Sequence, residues 1–351
     1  MKAVILAGGE GTRLRPLTLT LPKPVVPVVD RPFLRHQLDL LGTVGIEDVI
    51  FSVAYRPERV QAVFGDGRAH GRRIRYVVEE TPLGTGGAVK NAEPYLDDVT
   101  VVFNGDVLTD VDLPAVVRGH REAGAAVTIV LTPVENPSAY GLVETDPDGR
   151  VRRFLEKPKP EEITTDTINA GIYVIDTPAL ELMPPAVNHS IERGFFPTAV
   201  ARGLHVRGHV HRGYWIDIGT PEKYLQVHRD VLRGRFPVSL LAPPARGGWI
   251  DPRADVDPGA DLEGPFFVGP GCRLAAGSRL RAGAVLTEGV RVAAGATVED
   301  SVLWAGADVA ELATVTGALL GPRVRVGASA RVLPGAVLGE GTIVSDHSRT
   351  A

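Results

Sequence analysis

From residue 250 onward, aliphatic side chains recur at every sixth position. Ile250, Val256, Leu262, Val268, Leu274, Leu280, Leu286, Val292 and Val298 keep that spacing without a miss. The register then slips to Leu303, Val309 and Val315 and resumes as Leu320, Val326, Val332, Leu338 and Val344. Gly271, Gly277, Gly283, Gly289 and Gly295 each follow one of these positions by three residues. A hexapeptide period sustained this long specifies a parallel β-helix, with aliphatic residues stacked inside and glycines at the corners. The expected domain is a left-handed parallel β-helix of hexapeptide repeats over residues 249–346. Acyl transfer on such a coil calls for a histidine base. From residue 229 onward the only histidine is His347, in a polar tail beyond the repeat. The coil therefore reads as a scaffold for assembly or regulation.

Residues 1–235 follow a different grammar. Val4-Ile5-Leu6, Val49 to Val53, Ile74 to Val78 and Val99 to Phe103 are continuous apolar runs of the kind buried on both faces of a sheet. Between them lie amphipathic stretches, Phe33 to Leu41 and Leu113 to Ala123, the second with Asp112 as its N-cap. Strand-helix alternation predicts an α/β domain, and sites in such domains gather at the carboxyl ends of the strands. The Pro- and Gly-rich residues 236–248 read as a linker.

Composition removes several classes. With 38 basic and 42 acidic residues and a net charge of -4, nothing suggests a nucleic-acid or membrane-surface protein. The single cysteine, Cys272, excludes an internal disulfide and a Cys-rich metal site. The apolar run at the N-terminus is too short for a signal peptide, and no stretch could span a bilayer. These features predict a soluble, cytoplasmic protein.

The first strand enters Gly8-Gly9-Glu10-Gly11-Thr12-Arg13-Leu14. Glycines after a strand let backbone amides approach phosphate oxygens, and Arg13 adds a permanent cation. The Gly-Lys-Ser/Thr of a Walker loop is missing, and Leu14 stands where a dinucleotide fingerprint needs its third glycine. Lysine is scarce: six of the 38 basic residues, at 2, 23, 90, 157, 159 and 223. Lys23 and Lys157 each precede a proline, which suggests that a compact ammonium is wanted at both places. Asp106 and Asp217 each follow a strand, and Thr220-Pro221 already supplies a helix start after Asp217. Two carboxylates suit Mg²⁺, which completes its shell with phosphate oxygens and water. His205, His209 and His211 lack zinc-ligand spacing.

Taken together, Gly8 to Leu14, Pro22-Lys23-Pro24, Pro82 to Gly87, Asn104-Gly105-Asp106, Tyr140-Gly141, Glu156-Lys157-Pro158, Asn169-Ala170-Gly171 and Trp215 to Gly219 resemble the sugar-1-phosphate nucleotidyltransferase family. Within it, Asn104 to Val107, Ser190 to Arg193 and Gly213 to Gly219 look most like mannose-1-phosphate guanylyltransferases. The resemblance implies a Rossmann-like nucleotidyltransferase domain with a mixed, mainly parallel sheet. It implies GTP and mannose 1-phosphate as substrates, Mg²⁺ as cofactor, and a homo-oligomer with the β-helix as one interface. It places the nucleotide against Leu6, Ala7, Gly8, Gly9, Gly11, Thr12, Arg13, Lys23, Glu79, Glu80, Pro82, Gly84, Thr85, Asn104 and Asp106. Gly141, Glu156, Lys157, Asn169, Gly171 and Trp215 would hold the sugar phosphate, and Asp106 and Asp217 the metal. Arg13, Lys23, Asp106, Lys157 and Asp217 form the implied catalytic set. The alternatives are a uridylyl- or thymidylyltransferase acting on glucose 1-phosphate, and a non-catalytic regulator that binds a nucleotide sugar.

Overall fold

The computed structural model describes residues 1–350. The chain forms two compact units, which divide it elsewhere than at the linker. Met1–Gly9 with Leu34–Trp215 make the first, and residues 10–33 join the chain from Ile216 onward in the second. Among the described residues no helix is long and apolar enough to cross a membrane.

The first unit is built on strands β1 (Lys2–Leu6), β2 (Asp48–Val53), β3 (Arg73–Val78), β4 (Val99–Asn104), β5 (Val127–Pro133), β6 (Gly141–Thr145), β7 (Val151–Glu156), β8 (Thr167–Asp176) and β9 (Val206–Val210). They form one nine-stranded sheet in the order β7-β6-β8-β4-β1-β2-β3, with β5 joining β8 to β9. β3, β2, β1 and β4 run parallel, and β8 turns antiparallel against β4. Val4 at the centre of β1 pairs with Ile50 and Val102, and all three are buried. Helices α1 (Phe33–Gly42), α2 (Pro57–Phe64), α3 (Gly84–Ala92), α4 (Leu113–Glu122) and α5 (Phe196–Ala201) accompany the strands. Asp112 caps α4 as expected, its carboxylate accepting from the Ala115 amide at 2.9 Å.

One strand departs from its expected environment. Ile74 to Val78 lies in β3 at the sheet's edge, with Arg73, Arg75 and Val78 exposed, so it is not buried on both faces. An edge strand has a partner on one side only, and its charged side chains protect the open edge.

The second unit is a left-handed parallel β-helix with residues 10–33 and helix α6 (Pro221–Leu232). Three parallel sheets form its walls. Eighteen residues complete a turn, so Ile250 stacks on Val268 and Val268 on Leu286. The two register slips shorten the next turns to 17 residues, from Leu286 to Leu303 and from Leu303 to Leu320. The stacked aliphatic residues form one continuous core. The five expected corner glycines all adopt left-handed backbone, with φ between 64° and 85°.

The coil runs past residue 346: Arg349–Thr350 forms a last strand on Arg331–Val332. His347 occupies a corner, its amide bonded to the Ala328 carbonyl at 2.8 Å, and is not part of a tail. Within 236–248, Pro244–Ala245 pairs antiparallel with Gly248–Trp249.

The three walls differ in their outward residues. One wall presents Phe267, Val285, Val302 and Leu319, each no more than 2% exposed. It is covered from its own unit. The Trp304 indole donates to the Tyr224 hydroxyl of α6 at 3.0 Å, and that hydroxyl donates to the Pro27 carbonyl. Arg229 of α6 forms a two-bond pair with Asp300 at a coil corner.

Candidate active site

The carboxyl ends of β1 and β4 carry one group of the candidate residues. The Gly105 amide donates to the Leu6 carbonyl at 3.0 Å, and a Cβ at Gly105 would stand 2.3 Å from that oxygen. Glycine is therefore required where the Asn104-Gly105-Asp106 turn crosses the end of β1. Ala7 continues the strand by donating to the Ser52 carbonyl, and Gly8 emerges beside Glu79. Glu79 is 9% exposed and already engaged: Ser52 Oγ donates to one carboxylate oxygen at 2.7 Å and the Leu83 amide to the other at 2.9 Å. Each oxygen keeps a further lone pair. Glu80 and Pro82 are exposed.

Gly84 and Thr85 do not lie in an open loop but begin α3. The amides of Gly86 and Gly87 at its N-terminus are taken by the His189 carbonyl, at 2.8 and 3.1 Å. Thr85 Oγ1 donates to Glu192 and accepts from the Ile191 amide.

The residues assigned to the sugar end gather in the same unit. Asn169 donates to the Tyr173 hydroxyl at 2.9 Å and accepts from the Gly171 amide at 2.9 Å. Gly171 packs on the Asn104 side chain, which joins the two ends of the site. Asn104 Oδ1 is buried and has no hydrogen-bond partner among the described residues. Trp215 donates to the Ala170 carbonyl and stands edge-on to Tyr140. Gly141 leaves no room beside Glu156, because a Cβ there would lie 3.0 Å from its carboxylate. Burial, reinforced by the negative charge of Glu192, pushes the Glu156 carboxyl above its ordinary pKa, while Lys157 and Arg193 oppose the shift. Lys157 is exposed, has no ion-pair partner among the described residues, and holds left-handed backbone at φ 53°. That conformation is strained for a residue other than glycine, and such strain concentrates at functional sites.

In the second unit, Arg13, Asp217 and Lys223 converge. A Cβ at Gly219 would stand 2.9 Å from both Arg13 Nη2 and Asp217 Oδ2. The Lys223 ammonium donates to the other oxygen of Asp217. Gly11 lies against Lys23, and Lys23 is 8% exposed, so it is not a loose surface lysine. Thr12 is exposed in the short turn that carries Arg13.

Sequence reasoning gave no site role to Ser52, Tyr173, Glu192 or Lys223, whose contacts come from tertiary approach. Two of them left a trace: Glu192 lies in the Ser190 to Arg193 motif, and Lys223 is one of six lysines in an arginine-rich chain.

Among the described residues no three His, Cys, Asp or Glu side chains gather into a protein-only cage. A single carboxylate such as Asp106 or Asp217 is the kind of donor that suits a hard cation drawing its other ligands from phosphate and water.

The Nucleotidyl transferase family matches residues 2–234, and the chain belongs to it. It is an enzyme of the sugar-1-phosphate nucleotidyltransferase class. The chain is 44% identical over 280 residues to a mannose-1-phosphate guanylyltransferase of Mycobacterium tuberculosis, covering 79% of this chain and 77% of the relative. It is 37% identical to a mannose-1-phosphate guanyltransferase of Candida albicans, covering 99% of this chain and 93% of that one. The crystal structure of HddC from Yersinia pseudotuberculosis complexed with GMP-PN superposes with a TM-score of 0.56 at 29% identity, over 66% of this chain and 99% of that one. The chain transfers a nucleotidyl group to a sugar phosphate.

Proposed function

We propose that the chain joins GTP to α-D-mannose 1-phosphate, giving GDP-mannose and pyrophosphate. The observation that carries this assignment is its likeness to two mannose-1-phosphate guanylyltransferases, one of which it matches along nearly its whole length.

The sugar phosphate is ionised at neutral pH and is itself the nucleophile. One of its oxygens forms a bond to the α-phosphorus as the bond from that phosphorus to the bridging oxygen breaks, and the electron pair leaves with pyrophosphate. No side-chain nucleophile is needed. The task is to bring two anions together and to stabilise charge as it moves. The amides of Gly8, Gly9, Gly11 and Thr12 hold the triphosphate, and Arg13 and Lys23 bind the phosphates that leave. Lys157 neutralises the incoming sugar phosphate. Glu156, Asn169, Gly171 and the Gly141 backbone orient sugar hydroxyls, and Trp215 walls that end. Asn104 Oδ1, left without a partner by the fold, accepts from a substrate hydroxyl. Asp106 and Asp217 would hold Mg²⁺, which supplies Lewis-acid polarisation of phosphate oxygens when bound.

Glu79 and Glu80 provide carboxylates for the N1 and N2 hydrogens of guanine, and loss of such a bond discriminates against bases that lack it. We also take the chain to assemble as a homo-oligomer through its β-helix.

Pyrophosphate release measured across four nucleoside triphosphates, with mannose 1-phosphate and glucose 1-phosphate, tests the substrates. The expected result is a preference for GTP with mannose 1-phosphate. Preference for UTP or dTTP with glucose 1-phosphate, or no turnover with any pair, would overturn the assignment.

A further inference from the structure

One wall of the β-helix carries a single file of charged residues that find no partner in their own chain. Its outward positions, turn by turn, are Asp255, Arg273, Arg291, Asp308, Arg325 and Ile343, held in register by parallel pairing. Among the described residues, none of these five charged side chains makes an ion pair or side-chain hydrogen bond, and the three arginines are exposed. Several other arginines of the coil do find partners. Arg281 pairs with Asp261 and Glu263, Arg253 with Asp251, and Arg323 with Glu340. Arg273 and Arg291 stack on adjacent turns, about 4.8 Å apart at the backbone, where like charges repel. Beside the file stand Asp257, Ala275, Ala293, Ala310 and Gly327, and the file from Asp255 to Asp308 lines a groove with Asp257, Ala275 and Ala293.

We infer that this wall is a self-complementary interface, and that a second copy of the chain docks on it antiparallel about a two-fold axis through Arg291. The order of charges selects that axis. With Arg291 on the axis, Arg273 of each copy faces Asp308 of the other, and Asp255 faces Arg325, giving four opposite-charge pairs. The one like pair is Arg291 against itself, and the Asp308 residues of the two copies lie diagonally on either side of it. An axis half a turn further along pairs Arg291 with Asp308 but sets Arg273 against Arg325. Half a turn the other way sets arginine against arginine and aspartate against aspartate. A two-fold interface has to complement itself, and in this register the file does so. The Thr-containing wall (Asp261, Arg279, Thr297, Thr314, Arg331, Arg349) also exposes three arginines without ion pairs among the described residues, but its one acid, Asp261, is taken by Arg281, so it cannot complement itself.

The inference rests on the homo-oligomer reading above and names its face. Sedimentation velocity of the full chain, across a concentration series and between about 50 and about 500 mM NaCl, tests both. A dimer that weakens with salt is expected. Arg273→Glu should raise its dissociation constant at least about tenfold, because it sets two acids together twice in each dimer. The double variant Arg273→Glu/Asp308→Arg exchanges the charges and should restore dimerisation to within about threefold of the parent. All these side chains lie on the coil's exterior, and recovery in the double variant excludes misfolding as the cause. A dimer that ignores Arg273→Glu would overturn this face while leaving assembly through another. A monomer under every condition would overturn both.

Discussion

Lys223, on the first turn of α6, donates its ammonium to the carboxylate of Asp217. A cation at a helix N-terminus opposes the helix dipole, so local helix energetics do not explain its presence. It is also a lysine in a chain that otherwise prefers arginine. Its use is to hold the carboxylate, which meets Arg13 over the same face of Gly219. Lys223→Met should shift the Mg²⁺ concentration for half-maximal rate by about threefold, the scale of one partly exposed ion pair. Asp217→Asn should instead cost about 10² or more in turnover. A Mg²⁺ titration of the rate for both variants separates the two effects, and unchanged Mg²⁺ dependence in both would remove the metal role of Asp217.

Gly219→Ala should damage catalysis more than stability. The new methyl would press on Arg13 and Asp217 together, displacing both by a fraction of an ångström or more. Misplacement on that scale costs on the order of 10² in kcat/KM. Steady-state kinetics beside a thermal melt check this. A normal rate would show that Arg13 and Asp217 need not hold their present positions.

Glu156 predicts a pH dependence of definite sign. Burial, and then the charge of Glu192, raise its pKa in the folded chain. Between the unfolded and folded pKa values the folded state binds more protons. Stability therefore falls as pH rises through that window, and the penalty persists above it. Glu156→Gln should stabilise the chain at pH ~7 and not at pH ~3.5, by less than about 1 kcal/mol because the side chain is only half buried. Glu192→Gln should move the acid limb of the sugar-phosphate KM profile to lower pH. Melts and KM measured against pH test the two statements.

Trp304→Phe should loosen α6 from the coil. It deletes the bond to Tyr224 inside a fully buried cluster, at a cost of about 1–2 kcal/mol in denaturant unfolding.

Cys272 should resist alkylation. Burial pushes its thiol up to about 11, and its Sγ donates to the Thr287 carbonyl. Native protein at pH ~8 should remain unmodified by iodoacetamide until unfolded.

The coil was legible because its period repeats a local rule, one inward aliphatic residue per wall, at every turn. Where the rule lapsed, at Val298 and Val315, the structure shows shortened corners and not an end to the fold. β1, β2 and β4 were legible for a similar reason: burial on both faces writes an unbroken apolar run. The same run in β3 misled, because Ile74, Tyr76 and Val77 say nothing of whether a neighbour exists on the far side. The division into units was hidden for a comparable reason, since residues 10–33 have no compositional mark of belonging with the coil. At the candidate site, Asn104, Asn169 and Glu156 lie in motifs that the sequence displays. The contacts of Tyr173 and Ser52 are not visible there, because they come from which strand ends meet.

The two 17-residue turns follow one another, and both are shortened at the same edge of the prism, where Asp300 and Gly317 stand in left-handed backbone. Length is thus metered there by whole residues. A residue inserted at that edge would be absorbed as an ordinary 18-residue turn. The same insertion inside a rung would turn every later aliphatic residue outward. Natural variants of this domain should therefore gain or lose single residues at that edge and almost nowhere else along the coil.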